Sequence, residues 1–131
     1  MSGETFSVVG LAGKTRHDFA PTLGKDWIYD ITCKDANGNV IDLTNAIALK
    51  WRVSTSSSST SPIFTRSSGT GIAVTSTTSG ILRVSTTPAV QVTGTLTAGT
   101  RYRHELEIMA TGSLTYQIVA GYITPEPGLT G

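Results

Sequence analysis

The stretch IALKWRVST, residues 47–55, decides the fold, because its large apolar side chains alternate with small or polar ones. Ile47, Leu49, Trp51 and Val53 fall on one side of the stretch. A period of two places successive side chains on opposite faces of a β-strand, whereas an amphipathic helix needs apolar residues three or four positions apart. The stretch therefore predicts a half-buried strand whose apolar face, including Ile47, lies in the core.

The same alternation recurs on both sides of this strand. Upstream it runs through Trp27, Tyr29, Ile31 and Cys33, and downstream through Tyr102, His104, Leu106 and Ile108. Shorter β-rich runs lie at residues 40–43, 62–64, 72–75, 81–87 and 114–123, and Pro62 marks its run as an edge segment. About seven short strands at intervals of about ten residues, with no convincing helix, predict an all-β, antiparallel, immunoglobulin-like β-sandwich.

The best metal candidate is a group of oxygen-bearing side chains near the turn that follows the tryptophan–tyrosine strand: Asp35, Asn37, Asn39 and Asp42. Oxygen donors at alternate positions can surround a calcium ion. An EF-type loop needs glycine at its sixth position and glutamate at its twelfth, but Val40 and Ala46 stand there. We therefore expect a plain turn, with the Asn37-Gly38 pair at its tip, and neither a metal nor another cofactor.

The N-terminal segment differs from the rest of the chain. Residues 1–24 predict an extended arm with a first edge strand, residues 25–125 the β-sandwich domain, and residues 126–131 a short tail. The arm is too apolar for a solvated tail, because it contains Phe6, Val8, Val9 and Leu11. We expect these side chains to dock on the chain's own sheet or on a neighbouring protein.

Composition excludes several classes of function. The chain has 131 residues, a net charge of +1 and 15% charged residues, which provides no field strong enough to attract nucleic acid or an anionic membrane. Its single cysteine, Cys33, cannot form an intramolecular disulfide. No stretch approaches the ~18 apolar residues of a membrane-spanning helix, and the N-terminus lacks the pattern of a secretory signal. We therefore expect synthesis in the cytoplasm.

No set of residues predicts an active site. The sequence has no Gly-x-Ser-x-Gly motif, and only His17 and His104 could serve as the base of a serine or cysteine nucleophile such as Cys33. His104 takes an inward position, so we expect a half-buried imidazole with one hydrogen bond. The strand phase of the large aromatic residues favours core packing over a sugar-stacking platform for Trp27, Tyr29, Trp51 and Tyr102. We therefore expect no enzymatic activity.

A charged strand face offers a different kind of site. Arg101, Arg103, Glu105 and Glu107 alternate with apolar residues, so they share one face. If that strand neighbours residues 47–55, Lys50 and Arg52 lie opposite them in a mixed-charge ladder, which is either a solvated surface or a docking surface. With the apolar residues of the arm, the candidate assembly surface comprises Phe6, Val8, Val9, Leu11, Lys50, Arg52, Arg101, Arg103, Glu105 and Glu107.

One run of turn and strand motifs resembles a known family. Residues 31–46, ITCKDANGNVIDLTNA, are similar to the strand, turn and Ile-Asp-Leu-Thr connection in the N-terminal β-sandwich domain of the upper baseplate protein family of tailed phages. The likeness covers residues 25–125 and continues through Trp51-Arg52-Val53, Gly71-Ile72, Gly80-Ile81-Leu82, Ala98-Gly99-Thr100 and Gly121-Tyr122-Ile123-Thr124. Residues 1–24 have no counterpart in it.

The resemblance implies a structural or adaptor component of a tailed-phage virion, at its tail, baseplate, collar or fibre attachment site. We expect many copies that contact other virion proteins, and, from the composition, neither nucleic acid nor membrane as partner. Two alternatives stay open: a decoration protein on the capsid, and a module that binds carbohydrate or the host surface.

Overall fold

Eight β-strands make up the regular structure in a computed structural model of the chain, which describes residues 3–44, 46–55, 62–87, 96–109 and 115–127. The strands are β1 Gly3–Leu11, β2 Asp26–Lys34, β3 Ala48–Thr55, β4 Pro62–Ser68, β5 Gly71–Ser76, β6 Ile81–Thr86, β7 Tyr102–Met109 and β8 Thr115–Ile123. No helix occurs among the described residues, so the prediction of an all-β chain is confirmed.

The strands follow one another in a single mixed sheet in the order β1-β2-β6-β5-β4-β3-β7-β8. The sheet coils almost into a barrel, because the Tyr29 ring on β2 lies 6.1 Å from the Trp51 ring on β3 although three strands separate them in the sheet. The immunoglobulin-like sandwich of about seven strands is not confirmed. A short parallel pairing of β4 with β5, at Ser67 and Gly71, joins the strands that would otherwise form two separate sheets.

The core is built from the alternation that the sequence shows. Every predicted inward residue of β2 and β7 is buried, as are Leu49, Trp51 and Val53 of β3. The predicted inward position of Ile47 is wrong: its side chain is 61% exposed, because β3 begins one residue later, at Ala48. The edge position expected after Pro62 is also wrong, since β4 lies inside the sheet between β5 and β3.

The N-terminal residues close the barrel from both sides. β1 pairs in parallel with β2, while the following residues 15–23 run parallel to β8 through the bridges Arg16↔Ala120 and Phe19↔Ile123. Between β1 and residues 15–23 lies a seam filled by side chains. There the rings of Phe6 and Phe19 are 4.8 Å apart. The N-terminal segment is therefore docked on its own sheet.

Replacing Gly10 with alanine should destabilise the protein, because β1 passes very close to β8 at this point. A Cβ at Gly10 would lie 2.5 Å from Ile118 Cγ2 and 2.8 Å from the Ile118 carbonyl oxygen. Forcing extra atoms into a packed site costs about 1 to 3 kcal/mol, whereas an unstrained glycine-to-alanine change stabilises by roughly 0.4 to 1 kcal/mol. We expect urea denaturation to show a loss of about 1 to 3 kcal/mol.

The sign of the stability change in Gly10→Ala tests the close contact of β1 with β8. A gain in stability would show that the two strands are not in close contact. Ser7→Ala is the matched control, because Ser7 lies on the exposed side of the same strand. Its effect should stay within about 0.5 kcal/mol.

Candidate functional site

The charged residues of β3 and β7 lie side by side on the outside of the sheet. Lys50 is in register with Glu107, and Arg52 with Glu105, as the sequence predicted for neighbouring strands. The Arg52 guanidinium lies 3.3 Å from the Glu107 carboxylate and 3.7 Å from that of Glu105. We call this surface the charged face, and it consists of Lys50, Arg52, Arg101, Arg103, Glu105 and Glu107.

The acidic half of the charged face is held by neighbouring side chains. Glu105 contacts Arg52 and also accepts a hydrogen bond of 2.8 Å from the side-chain amide of Gln117 on β8. Partly exposed ion pairs of this kind contribute only ~0 to 1 kcal/mol each. The ladder therefore fixes the positions of its charges more than it stabilises the fold.

The arginines at the basic end of the charged face, Arg101 and Arg103, lie beside one tyrosine. Tyr122 of β8 is in register with Arg103, and the Arg101 guanidinium lies over its ring at 4.3 Å from the centroid. Arg16, from the segment that runs along β8, lies over the same ring at 5.1 Å. Stacking on an aromatic face holds a guanidinium while leaving its N–H donors available at the rim.

A shallow groove of about 310 Å³ opens beside these arginines. We call it the basic groove, and it is lined by Gly13, Lys14, Thr15, Arg16, Arg103, Gln117, Ala120, Gly121 and Tyr122. Its lining contains three cationic side chains and no carboxylate. Sequence reasoning found Arg103 but missed Lys14 and Arg16, because nothing in the sequence shows that residues 13–16 lie along β8.

Asp18 is the acidic residue that faces this corner. Its carboxylate lies 2.9 Å from the Arg16 guanidinium and accepts a hydrogen bond of 2.8 Å from the Tyr122 backbone N–H. The hydrogen bond from Arg16 is the main cause that lowers the pKa of Asp18. Asp18 therefore stays ionised and compensates Arg16, but not Lys14 or Arg103.

The apolar residues of the predicted assembly surface do not join the charged face. Phe6 and Val8 of β1 pack against the core, and Leu11 is half-buried. Val9 alone of the four is largely exposed, at 49%. The structure thus brings the six charged residues together and places the four apolar ones apart from them, on β1.

A chain of polar contacts crosses the core near the seam. Trp51 Nε1–H donates to His104 Nδ1 at 3.2 Å, so the proton of the imidazole is on Nε2, which contacts the His17 carbonyl oxygen at 2.6 Å. The Tyr29 hydroxyl lies 2.6 Å from His17 Nδ1. The predicted half-buried His104 with one hydrogen bond is wrong, because this side chain is 1% exposed and makes two.

Burial controls the titration of the groups in this interior chain. Desolvation is the main cause that lowers the pKa of His104 to about 4, and it also lowers the pKa of the half-buried His17. Desolvation likewise raises the pKa of Tyr29. All three side chains are therefore neutral near pH 7, and their hydrogen bonds are made to each other, to Trp51 and to the backbone.

The remaining candidates for chemistry have structural roles. Burial raises the pKa of the Cys33 thiol to about 12, which leaves it protonated and unreactive. The four large aromatics of the possible sugar platform are buried, so the prediction of core packing is confirmed. Among the residues that the structure describes, no three histidine, cysteine, aspartate or glutamate side chains are grouped as metal ligands.

The turn after β2 uses its aspartates for its own geometry. The Asp35 carboxylate accepts hydrogen bonds from the backbone N–H groups of Asn37 and Asn39, and Gly38 takes a positive φ of 86°. Asp42 accepts in the same way from Thr44. These hydrogen bonds lower the pKa of both carboxyls.

Comparison of the sequence with protein-family models and with curated proteins found no match in either set. Within the described ranges, no helix has the length and apolar character that crossing a membrane requires.

Proposed function

We propose that the protein is a structural or adaptor component of a tailed-phage particle, present in many copies and acting through contacts with other virion proteins. The resemblance of residues 25–125 to the N-terminal domain of the upper baseplate protein family supports this class of protein. The geometry supports the mode of action, which is assembly through an outer surface.

The closed interior is the observation that carries the proposal. Trp27 and Trp51 are 2% and 1% exposed, and the core is continuous from β2 to β8. Inside it, His104 bonds to the Trp51 side chain and to the His17 carbonyl oxygen, so its ring nitrogens are both occupied. Because the interior is filled, the side chains available to other molecules are those outside, and the charged face is their most organised set.

The charged face is a better contact surface than the N-terminal arm. Within the arm, Phe6 and Phe19 already pack against each other and against the core. On the charged face, by contrast, Arg52 bridges two carboxylates and Tyr122 positions two guanidiniums. Fixed charges of this kind favour one partner and one orientation more than they raise affinity.

The finer architecture also belongs to this proposal. We propose that strands β1, β2, β6 and β5 form one layer and strands β4, β3, β7 and β8 the other, because only two residue pairs link β5 to β4. We take this flattened barrel as a variation on a two-layer sandwich, the architecture that the resemblance implies. The relation to an immunoglobulin-like domain would then lie in the layers and not in the strand count.

Two alternatives make different predictions. A capsid decoration protein would occupy the head of the particle, which imaging separates from the tail. A carbohydrate-binding module would use exposed aromatic rings, but the Tyr122 ring at the charged face is half-buried and has Arg101 and Arg16 lying over it. A glycan array would detect that activity directly.

The proposal is tested with tailed particles produced from the genome that encodes the chain. Quantitative mass spectrometry of purified particles should find many copies of the chain in each, and labelled antibody should locate them in the tail or baseplate. Finding the chain only in the soluble fraction of the lysate would contradict the proposal.

Substitutions in the charged face test whether it is the surface that contacts other virion proteins. An Arg101→Ser, Arg103→Ser protein supplied in place of the native chain should enter particles several-fold less efficiently, because it loses two cations of the charged face. Arg83→Ser is the matched control, since Arg83 lies on β6, in the opposite layer, and pairs with Asp30. Equal incorporation of all three proteins would exclude the basic end of the charged face as the contact surface.

A further inference from the structure

We propose that the basic groove binds an extended acidic segment of a partner protein, with the partner's carboxylates placed against Lys14 and Arg103. The inference rests on the proposed function, because it names the partner chemistry at one end of the charged face. The inference goes beyond the proposed function because it concerns one defined groove. Binding of a ligand to this groove can be measured without a phage particle.

Unbalanced charge is the first reason. Of the acidic residues around the groove, Asp18 is paired with Arg16, and Glu105 is held by Arg52 and Gln117. Arg103 and Lys14 have no carboxylate partner among the described residues. An incoming carboxylate would therefore form charge-assisted hydrogen bonds without displacing an existing ion pair.

Positioning of the cations is the second reason. Arg101 and Arg16 are stacked on the Tyr122 ring, and Arg103 projects from β7 directly opposite Tyr122. The Lys14 ammonium donates to the Ala36 carbonyl oxygen at 3.1 Å, which leaves its other two N–H groups for a ligand. Arg16, Arg101 and Lys14 are held by these contacts before binding, so they lose less side-chain entropy when a ligand arrives.

The size and surroundings of the groove select the ligand. A volume of about 310 Å³ admits a short stretch of extended chain with one or two acidic side chains. Glu105 and Glu107 lie beyond Arg103 along β7, so a continuous polyanion such as nucleic acid would meet carboxylates on leaving the groove. A protein segment with spaced carboxylates avoids this repulsion.

The test uses the full chain and a fluorescein-labelled decapeptide of alternating glutamate and glycine, followed by fluorescence anisotropy at low ionic strength. We expect a dissociation constant of about 100 µM, weakened by salt, and no binding of the matching glutamine–glycine peptide. Arg103→Gln should weaken binding about fivefold, and Lys14→Gln with Arg103→Gln by more than about tenfold.

Arg83→Gln is the matched control, because it removes one arginine charge from the opposite layer and should leave the affinity unchanged within about twofold. Thermal unfolding of each variant checks that the fold is intact. No binding by the native chain, or equal loss in Arg83→Gln and Arg103→Gln, would overturn the inference. Equal affinity for a decathymidylate would also overturn it, since the groove would then take any anion. None of these results depends on whether the chain enters particles.

Discussion

Lowering the pH from 6.5 to 4 should reduce the free energy of unfolding by about 3 kcal/mol, because the native structure buries His104 in its neutral form. The pKa of this side chain falls from 6.5 to about 4 on folding. Below pH 6.5 the unfolded chain binds a proton that the folded chain does not, so acid favours unfolding. The stabilisation is complete above pH 6.5 and lost progressively as the pH falls to 4.

The groups around His104 explain why it resists protonation. Its Nδ1 accepts the Trp51 N–H and its Nε2 contacts the His17 carbonyl, so a second proton would have to displace Trp51. The rings of Phe19, Tyr29 and Trp51 surround it. The hydrogen bond to the His17 carbonyl, and to a smaller extent the Asp18 charge, oppose the lowering of the His104 pKa. The pKa of His17 is also lowered, so its protonation adds to the loss of stability in acid.

Urea denaturation at a series of pH values measures this prediction. His104→Gln is the control variant, because it should cost stability at pH 7 but remove most of the slope between pH 6.5 and 4. The pKa values of Asp18, Asp35 and Asp42 are lowered from an ordinary value of 3.8, so the stability that these carboxylates contribute is lost mainly below that pH. A flat native profile above pH 4, or an NMR titration of His104 near pH 6.5, would show that this histidine is not buried.

Gly121→Ala should be among the most damaging single substitutions, with an expected loss of about 3 to 5 kcal/mol. A Cβ at this position would lie 2.3 Å from the His17 carbonyl oxygen and 2.7 Å from Asp18 Oδ1. The added methyl must push residues 15–23 away from β8. That movement also separates His17 from His104 and leaves a buried N–H donor without its acceptor, which costs about 1 to 3 kcal/mol by itself.

Equilibrium denaturation checks the size of the loss, and hydrogen exchange checks its cause. The backbone N–H groups of His17 and Phe19, which bond to β8, should exchange faster in Gly121→Ala than in the native chain. Gly99→Ala is the control, because Gly99 has a positive φ of 83° but open space around its Cα. It should cost only about 1 kcal/mol. A similar cost at both glycines would contradict the close contact at Gly121.

The sequence predicted the strands well because alternation is a local property. The inward phase of β2 and of β7 is visible within about seven residues of sequence. Every inward side chain is buried, namely Trp27, Tyr29, Ile31, Cys33, Tyr102, His104, Leu106 and Ile108. Strand order is different, since it depends on which strands bond to each other across long separations. The sequence left open whether β3 and β7 are neighbours. The parallel pairing of β1 with β2 was not predicted.

The groove and the interior hydrogen bonds could not be predicted for the same reason. Residues 15–23 carry no alternation, so nothing local shows that Arg16 and His17 lie along β8. One signal was present but not used: Gly121 stands inside a strand, and a glycine there often marks the close approach of another backbone. The segment that approaches is the one that supplies Lys14 and Arg16 to the basic groove.

The docking of residues 15–23 on β8 sets an order for synthesis on the ribosome. These residues are made early, but their hydrogen-bond partners at Ala120 and Tyr122 are made about a hundred residues later. Until β8 has left the exit tunnel, Phe19 and His17 have no sheet edge to pair with and stay open to chaperones or to other nascent chains. Closure of the barrel therefore has to wait for β8, and a chain interrupted before β8 would display an open intermediate that can aggregate.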